Sequence, residues 1–183
     1  MAVLDIVHFG DPILKKKKCN PVKRFDGIDR LLGDMFDTMY EEDGLGLAAN
    51  QVGLDLHLFI LDLSDIDGVE NPLVIINGEI TASEGESSYN EGCLSFPGIR
   101  LDINRPEVIT LRYQNPNGNW ETETFSDLTA RVIQHEMDHV NGIMMIDRVS
   151  TLDKIKIRSE LKNLEIQSNE KQKTRPTLDG YNF

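Results

Sequence analysis

The chain has 183 residues, 39% of them hydrophobic, and a formal net charge of -12 at pH 7. That length suits one domain with a stable core, and that apolar content excludes a disordered chain. The acidic balance argues against a protein built to hold nucleic-acid phosphates, so DNA is not an expected partner, and no apolar run approaches a membrane span.

The opening residues MAVLDIVHFGDP reach Asp5 and His8 before a signal-like apolar run can build. A cytoplasmic protein is therefore expected, or one of an organelle stroma if the chain is a mature form. Its two cysteines, Cys19 and Cys93, do not suggest a disulfide framework. Each is a free thiol, a buried small hydrophobe or a ligand.

Ile28, Leu31, Leu32, Met35, Phe36 and Met39 fall at helical spacing, which predicts a helix over 28–42 with Asp26 as cap and Gly44 near its stop. Residues 56–61 (LHLFIL) and 73–76 (LVII) read as short strands. Residues 107–113 and 120–125 alternate in polarity around Asn115-Pro116-Asn117-Gly118, the pattern of a hairpin. A second helix is predicted from an N-cap at Ser126 to about Met144. It is apolar on most sides, with Leu128, Val132 and Ile143 on one face and Ala130, Ile133, Met137, Val140 and Met144 on the other, so it belongs in the core.

A third helix is predicted from Ser150, with Asp153 completing a capping box and Leu152, Ile155, Leu161 and Leu164 facing the body. Beyond Gln167 the chain turns polar, and a mobile tail is expected. The predicted fold class is α+β: a single domain over 1–166, antiparallel β-sheets packed around a central helix, a C-terminal helix, and a polar tail over 167–183.

The second helix carries His135-Glu136-Met137-Asp138-His139, an H-E-x-x-H pattern. Residues i and i+4 share one helical face, so the two imidazoles can converge on one ion. Glu136 is rotated about 100° from His135 and can reach a water beside the ion while staying free to exchange protons. Two plain core histidines are the simpler alternative, but buried imidazoles need partners and a metal satisfies both. A catalytic site needs a third protein ligand. A downstream His on the metzincin pattern fails, because Met145 stands there. Glu160, Glu165 and Cys93 all stay open on spacing alone.

Gly44-Leu45-Gly46-Leu47-Ala48-Ala49-Asn50-Gln51 is not a dinucleotide loop, since it is not G-x-G-x-x-G and follows a helix. It reads either as a close-packed turn or as a backbone edge for an extended peptide, with the Gln51 amide as donor to an oxyanion.

Together GLGLAANQ at 44–51, EGCLS at 91–95 and QHEMDH at 134–139 resemble the peptide deformylase family, whose motifs occur in that order. Phe9 to Leu14 and Pro21-Val22 also look like that family's start, and the resemblance covers roughly residues 3–150. It implies Cys93, His135 and His139 as ligands of one divalent ion, with Fe(II) usual and Zn(II), Ni(II) or Co(II) able to substitute. It implies Glu136 as catalytic acid/base, and Gln51 with the Leu94 N–H as oxyanion donors. Gly44, Leu45, Gly46, Leu128, Arg131 and Val132 become candidate substrate-binding residues around a methionine pocket. The implied reaction removes formyl from the N-terminal formyl-methionine of nascent peptides: a metal-activated water attacks the formyl carbon, and formate departs.

Some positions go beyond that pattern. Val140 follows the second His where many relatives have Leu. Arg131 sits where an apolar residue is common, so its stem is expected to line the pocket wall while its head snorkels out. Glu91 and Arg105 form either a pair that holds the Cys93 loop or an ordinary surface ion pair. The net-positive C-terminal helix is either a solvated face or a dock for ribosomal RNA. His57 is expected to be exposed or locally satisfied. A metalloendopeptidase using Glu160 or Glu165, and a catalytically dead metal-binding relative, are the competing readings.

Overall fold

The computed structural model describes residues 2–64, 72–175, 178, 180, 181 and 183. Its elements run α1 (Ile28–Glu41), β1 (Gly46–Ala48), β2 (Leu58–Leu61), β3 (Leu73–Glu84), β4 (Ser87–Gly92), β5 (Arg100–Arg105), β6 (Val108–Gln114), β7 (Trp120–Ser126), α2 (Asp127–Val140), α3 (Thr151–Lys156) and α4 (Arg158–Gln172). A five-stranded antiparallel sheet has the order β1-β2-β3-β6-β7, and β4 and β5 form a separate antiparallel hairpin. This is the α+β, single-domain arrangement expected from the sequence.

Strand β2 shows why the sheet has a helix on each face. Leu58 and Ile60 point into one cluster with Leu31, Met35 and Met39 of α1. Phe59 and Leu61, on the opposite face by the two-residue period of a strand, pack with Ala130, Ile133, Met137 and Val140 of α2. Each such side chain, fully buried, stabilises the fold by roughly 1.5–3 kcal/mol. A third cluster of Phe9, Phe96, Ile103, Met145 and Leu164 lies beneath the β4–β5 hairpin.

The helix ends differ from the expected ones for identifiable reasons. Helix α1 is capped at Gly27 rather than Asp26, and it closes with Asp43 at φ 54° and Gly44 N–H bonded to Met39 O. Helix α2 stops at Val140 although the apolar pattern continues to Met144. Gly142 adopts φ 69°, and its N–H and that of Ile143 bond back to His139 O and Asp138 O, a Schellman closure. A side chain could not stand at Gly142, since a Cβ there would lie 2.2 Å from Lys16 O. Ser126 is the N-cap residue, but its hydroxyl donates to Asp127 rather than capping the backbone.

Ser150 does cap the third helical segment, accepting from Asp153 N–H. The segment breaks at Ile157 into α3 and α4. Leu152 and Ile155 are 71% and 61% exposed and do not face the body; Leu164 is buried and Leu161 partly so. Nor does regular structure end at Gln167. Helix α4 reaches Gln172, Ser168 donates to His8 O, and Arg175 pairs with Asp11. Leu178, Tyr181 and Phe183 pack on the α1 cluster, and Tyr181 donates to Asp34. No helix among the described residues is long and apolar enough to cross a membrane.

Candidate active site

Helix α2 lies under the sheet and presents His135 and His139 one turn apart on a single face. Cys93 directly follows β4 and turns toward them, the turn being closed by Phe96 N–H to Cys93 O at 2.9 Å. Cys93 Sγ lies 3.2 Å from His139 Nε2, and one ligand atom from each of the three residues falls within 4.8 Å of the other two. One sulfur and two imidazole nitrogens at that separation fit a single divalent ion. Among the described residues Glu160 and Glu165 do not join this group: Glu160 is exposed on α4, and the Glu165 backbone packs against Gly10.

The other ring nitrogen of His135 is fixed from behind. Its Nδ1 lies 2.9 Å from Glu91 Oε2. Glu91 is buried and bidentate to Arg105, through Nε at 2.7 Å and Nη2 at 3.0 Å, so the pair is an interior one rather than a surface one. Burial opposes the Glu91 charge, but His135 and Arg105 outweigh it and hold the carboxyl well below the ordinary range. Arg105 Nη1 continues to Asp138 at 2.7 Å, and Asp138 also takes Arg148. Burial first, and then His135 and Arg105, push His139 well below its usual pKa, favouring the neutral imidazole, the form a metal ligand requires.

Glu136 sits beside this group in a drier setting. It is buried, Oε2 has no partner among the described residues, and burial raises its pKa to about 7 against the opposing pull of His135 and Arg105. Gly46 of β1 makes room for it, since a Cβ there would lie 2.7 Å from Glu136 Oε1. The Gln51 amide is oriented by accepting from Ala48 N–H at 2.8 Å, and its Nε2 donates to Ser95 Oγ at 3.2 Å and lies 3.7 Å from Cys93 Sγ.

These groups open on a cavity of about 1110 Å³. Of the residues that the family resemblance implied for the site, all but the buried His139 line it: Gly44, Leu45, Gly46, Gln51, Cys93, Leu94, Leu128, Arg131, Val132, His135 and Glu136. Arg131 departs from expectation. Its guanidinium does not snorkel to solvent but is buried against Glu91, Ile103 and Ser87, because those acceptors satisfy it inside. His57 is buried as well, with Nδ1 unpartnered among the described residues.

Sequence reasoning missed two neighbours of the candidate ligands. Asn50 donates through Nδ2 to His139 O at 2.5 Å, and Asp138 anchors Arg105. Both lie inside motifs already singled out; a polar residue fixed within an apolar stretch was the signal available.

Comparison with known proteins identifies the chain's family. The family model described as Polypeptide deformylase matches residues 3–155. The peptide deformylase of Christiangramia forsetii is 41% identical over 175 residues, covering 88% of this chain and 89% of that protein. That of Chlorobaculum parvum is 43% identical over 162 residues, covering 87% and 86%. The crystal structure of peptide deformylase from Thermus thermophilus superposes with TM-score 0.84 at 37% identity, covering 91% of this chain and 99% of that one. The Plasmodium falciparum enzyme does so with TM-score 0.84 at 34% identity, covering 91% and 98%. With three donors converging under a cavity that its family motifs line, and with these relatives spanning nearly its whole length, the chain belongs to the peptide deformylase family.

Proposed function

We infer that this protein removes the formyl group from the N-terminal formyl-methionine of nascent polypeptides, releasing formate and a free amine. The observation that carries this reading is the buried Glu136, one oxygen without a partner among the described residues, beside three convergent candidate metal donors that open on a cavity. Cys93, His135 and His139 would hold the ion. We propose Fe(II) as the physiological metal, with Zn(II), Ni(II) or Co(II) able to substitute. When bound, the ion supplies a Lewis acid that brings a water's pKa near neutrality.

The chain's own groups do the rest. Glu136 accepts the proton of the attacking water and later delivers it to the departing amine nitrogen. The Gln51 Nε2–H and the Leu94 N–H donate to the formyl oxygen as negative charge grows on it. Strand β1 is the edge of its sheet, so Leu45 and Gly46 can pair with the peptide backbone. Gly44, Leu128, Val132 and the Arg131 stem form the wall for the methionine side chain.

The reaction occurs where formylated chains are made, so we place the protein in the cytoplasm or an organelle stroma. Leu152, Ile155 and Ile166 are exposed on the C-terminal helices, which also carry Lys154, Lys156 and Lys162, and these residues are the basis for a proposed ribosome contact. Salt-sensitive co-sedimentation with ribosomes, lost on reversing those lysine charges, would test it.

The central experiment is formate release from a formyl-methionyl peptide under anaerobic conditions, with metal counted on the same sample. One ion per chain, rapid formate release, and a Glu136→Ala variant that keeps the ion but slows about 10²–10⁴-fold are expected. An absence of bound ion in protected protein would sink the reading. Bound ion with peptide-bond cleavage in place of deformylation would favour an endopeptidase.

A further inference from the structure

We propose that Arg131 is a positioning residue of the metal centre, locking the hairpin that carries Cys93 onto the helix that carries His135 and His139. The inference rests on the metal-centre reading above. One turn before His135, Arg131 Nη1 donates to Glu91 Oε1 at 2.9 Å and to Ile103 O at 2.8 Å. Nη2 donates to Ser87 O and to Ser87 Oγ, each at 2.8 Å. The guanidinium is buried, and its acceptors come from both strands of the β4–β5 hairpin.

The consequence is geometric. Ser87 opens β4 and Cys93 follows its end, so β4 is a short rigid strip fixed at one end by Arg131 and bearing the cysteine sulfur at the other. Were the strip to slide along α2, Cys93 Sγ would leave its 3.2 Å approach to His139. Within the same strip, Glu91 uses one oxygen for Arg131 and Arg105 and the other for His135 and Arg105. Arg131 thus helps fix the carboxylate that orients the first imidazole. Arg105 cannot replace it, because its remaining bonds run to α2, at Asp138 and Gln134 O, and leave Ser87 and Ile103 untouched. Groups that orient metal ligands typically change affinity about 10–100-fold when lost. Lysine, a point charge without the planar fork, could hold Glu91 but not all four bonds.

The test compares wild type, Arg131→Met and Arg131→Lys, each loaded with cobalt(II). Metal release to a chromophoric chelator and the sulfur-to-cobalt charge-transfer band are measured beside kcat and KM. We expect release about 10–100-fold faster in the Met variant, an intermediate rate for Lys, a shifted band, and a loss in kcat greater than the change in KM. Release rates and bands within twofold of wild type, with only KM altered, would make Arg131 a plain pocket wall and overturn the proposal. Should the Met variant fail to fold, Arg131→Lys and Ser87→Ala decide the matter; the latter removes one acceptor of the fork far from the donors and should speed release by a smaller factor. A wild type that binds no cobalt would instead overturn the metal-centre reading itself.

Discussion

Gly46→Ala places one methyl group between the β1 edge and helix α2. The new Cβ would stand 2.7 Å from Glu136 Oε1, 2.8 Å from Val132 Cγ1 and 2.9 Å from Glu136 Cγ. Backbone strain is not the issue, since Gly46 is not among the residues with positive φ. Oε1 is the end of a rotatable chain and could move, but the Val132 and Glu136 contacts sit near the backbone of a buried helix. Strand β1 cannot retreat either, being registered on β2 through Gly46–Leu61 and Ala48–Phe59. Overpacking of this kind costs about 1–3 kcal/mol. At about 2–4 °C per kcal/mol for a chain of this size, the melting temperature should drop by roughly 2–12 °C.

The kinetic effect should be larger than the thermal one. A displacement near 1 Å of a proton-transferring group costs about 10²-fold in rate. None of the three candidate donors is among the atoms nearest the added methyl, so metal content should match that of wild type. Formate release in the steady state, metal analysis and thermal denaturation on one preparation separate these effects. A variant with kcat within threefold of wild type and an unchanged melting temperature would refute the claim that Gly46 is there to seat Glu136.

Three other perturbations test different parts of the fold. Glu91→Gln, measured in metal-free protein, should cost about 3–5 kcal/mol in urea denaturation, because it leaves Arg105 and Arg131 without their shared buried anion. Leu164→Ala should cost about 2–5 kcal/mol, whereas Leu152→Ala should stay within about 0.5 kcal/mol, since the first side chain is 7% and the second 71% exposed. Asp34 has its pKa lowered: burial opposes ionisation, but the Tyr181 hydroxyl and the Ala2 N–H outweigh it. Its contribution is therefore complete above the unfolded value near about 3.9 and is lost as pH falls through the lower folded value. Denaturation midpoints of Asp34→Asn should accordingly show a shallower loss toward acid than wild type, and an identical slope would refute the assignment.

Local signals in the sequence were strong where periodicity and chemistry coincided. The α2 histidines are legible because the helical period puts residues i and i+4 on one face. Its end is not, because Ile143 and Met144 continue the apolar pattern while Gly142 alone reverses the chain. The third candidate ligand was undecidable by spacing: Cys93 approaches His139 only through the fold that brings the end of β4 to α2, a non-local fact. Arg131 misled for a related reason. A cation among apolar residues suggests a stem with an emerging head, but its acceptors at Ile103 O and Ser87 O are backbone and close neighbours only after folding. The polar C-terminal residues misled in the opposite sense, since Ser168 and Tyr181 are polar side chains with interior partners at His8 O and Asp34.

Two carboxylates flank the same three donors, and their surroundings drive them apart. Both are buried, so desolvation raises both. Glu91 is compensated by direct hydrogen bonds from His135, Arg105 and Arg131, which fill both of its oxygens. It stays an anion through the neutral range and can orient a ligand without exchanging a proton. Glu136 feels His135 and Arg105 through space, keeps Oε2 unpartnered among the described residues, and is raised to about 7. Divergent environments of this kind are how one site divides fixed charge from mobile proton. The division follows from position on α2. Residue 135 turns its Nδ1 toward the hairpin, and residue 136, rotated by about 100°, faces Gly46 and the cavity. With Glu91 held on β4 by the arginines, a rotation of α2 that turned Glu136 toward Arg105 as well would leave no carboxylate free to carry a proton.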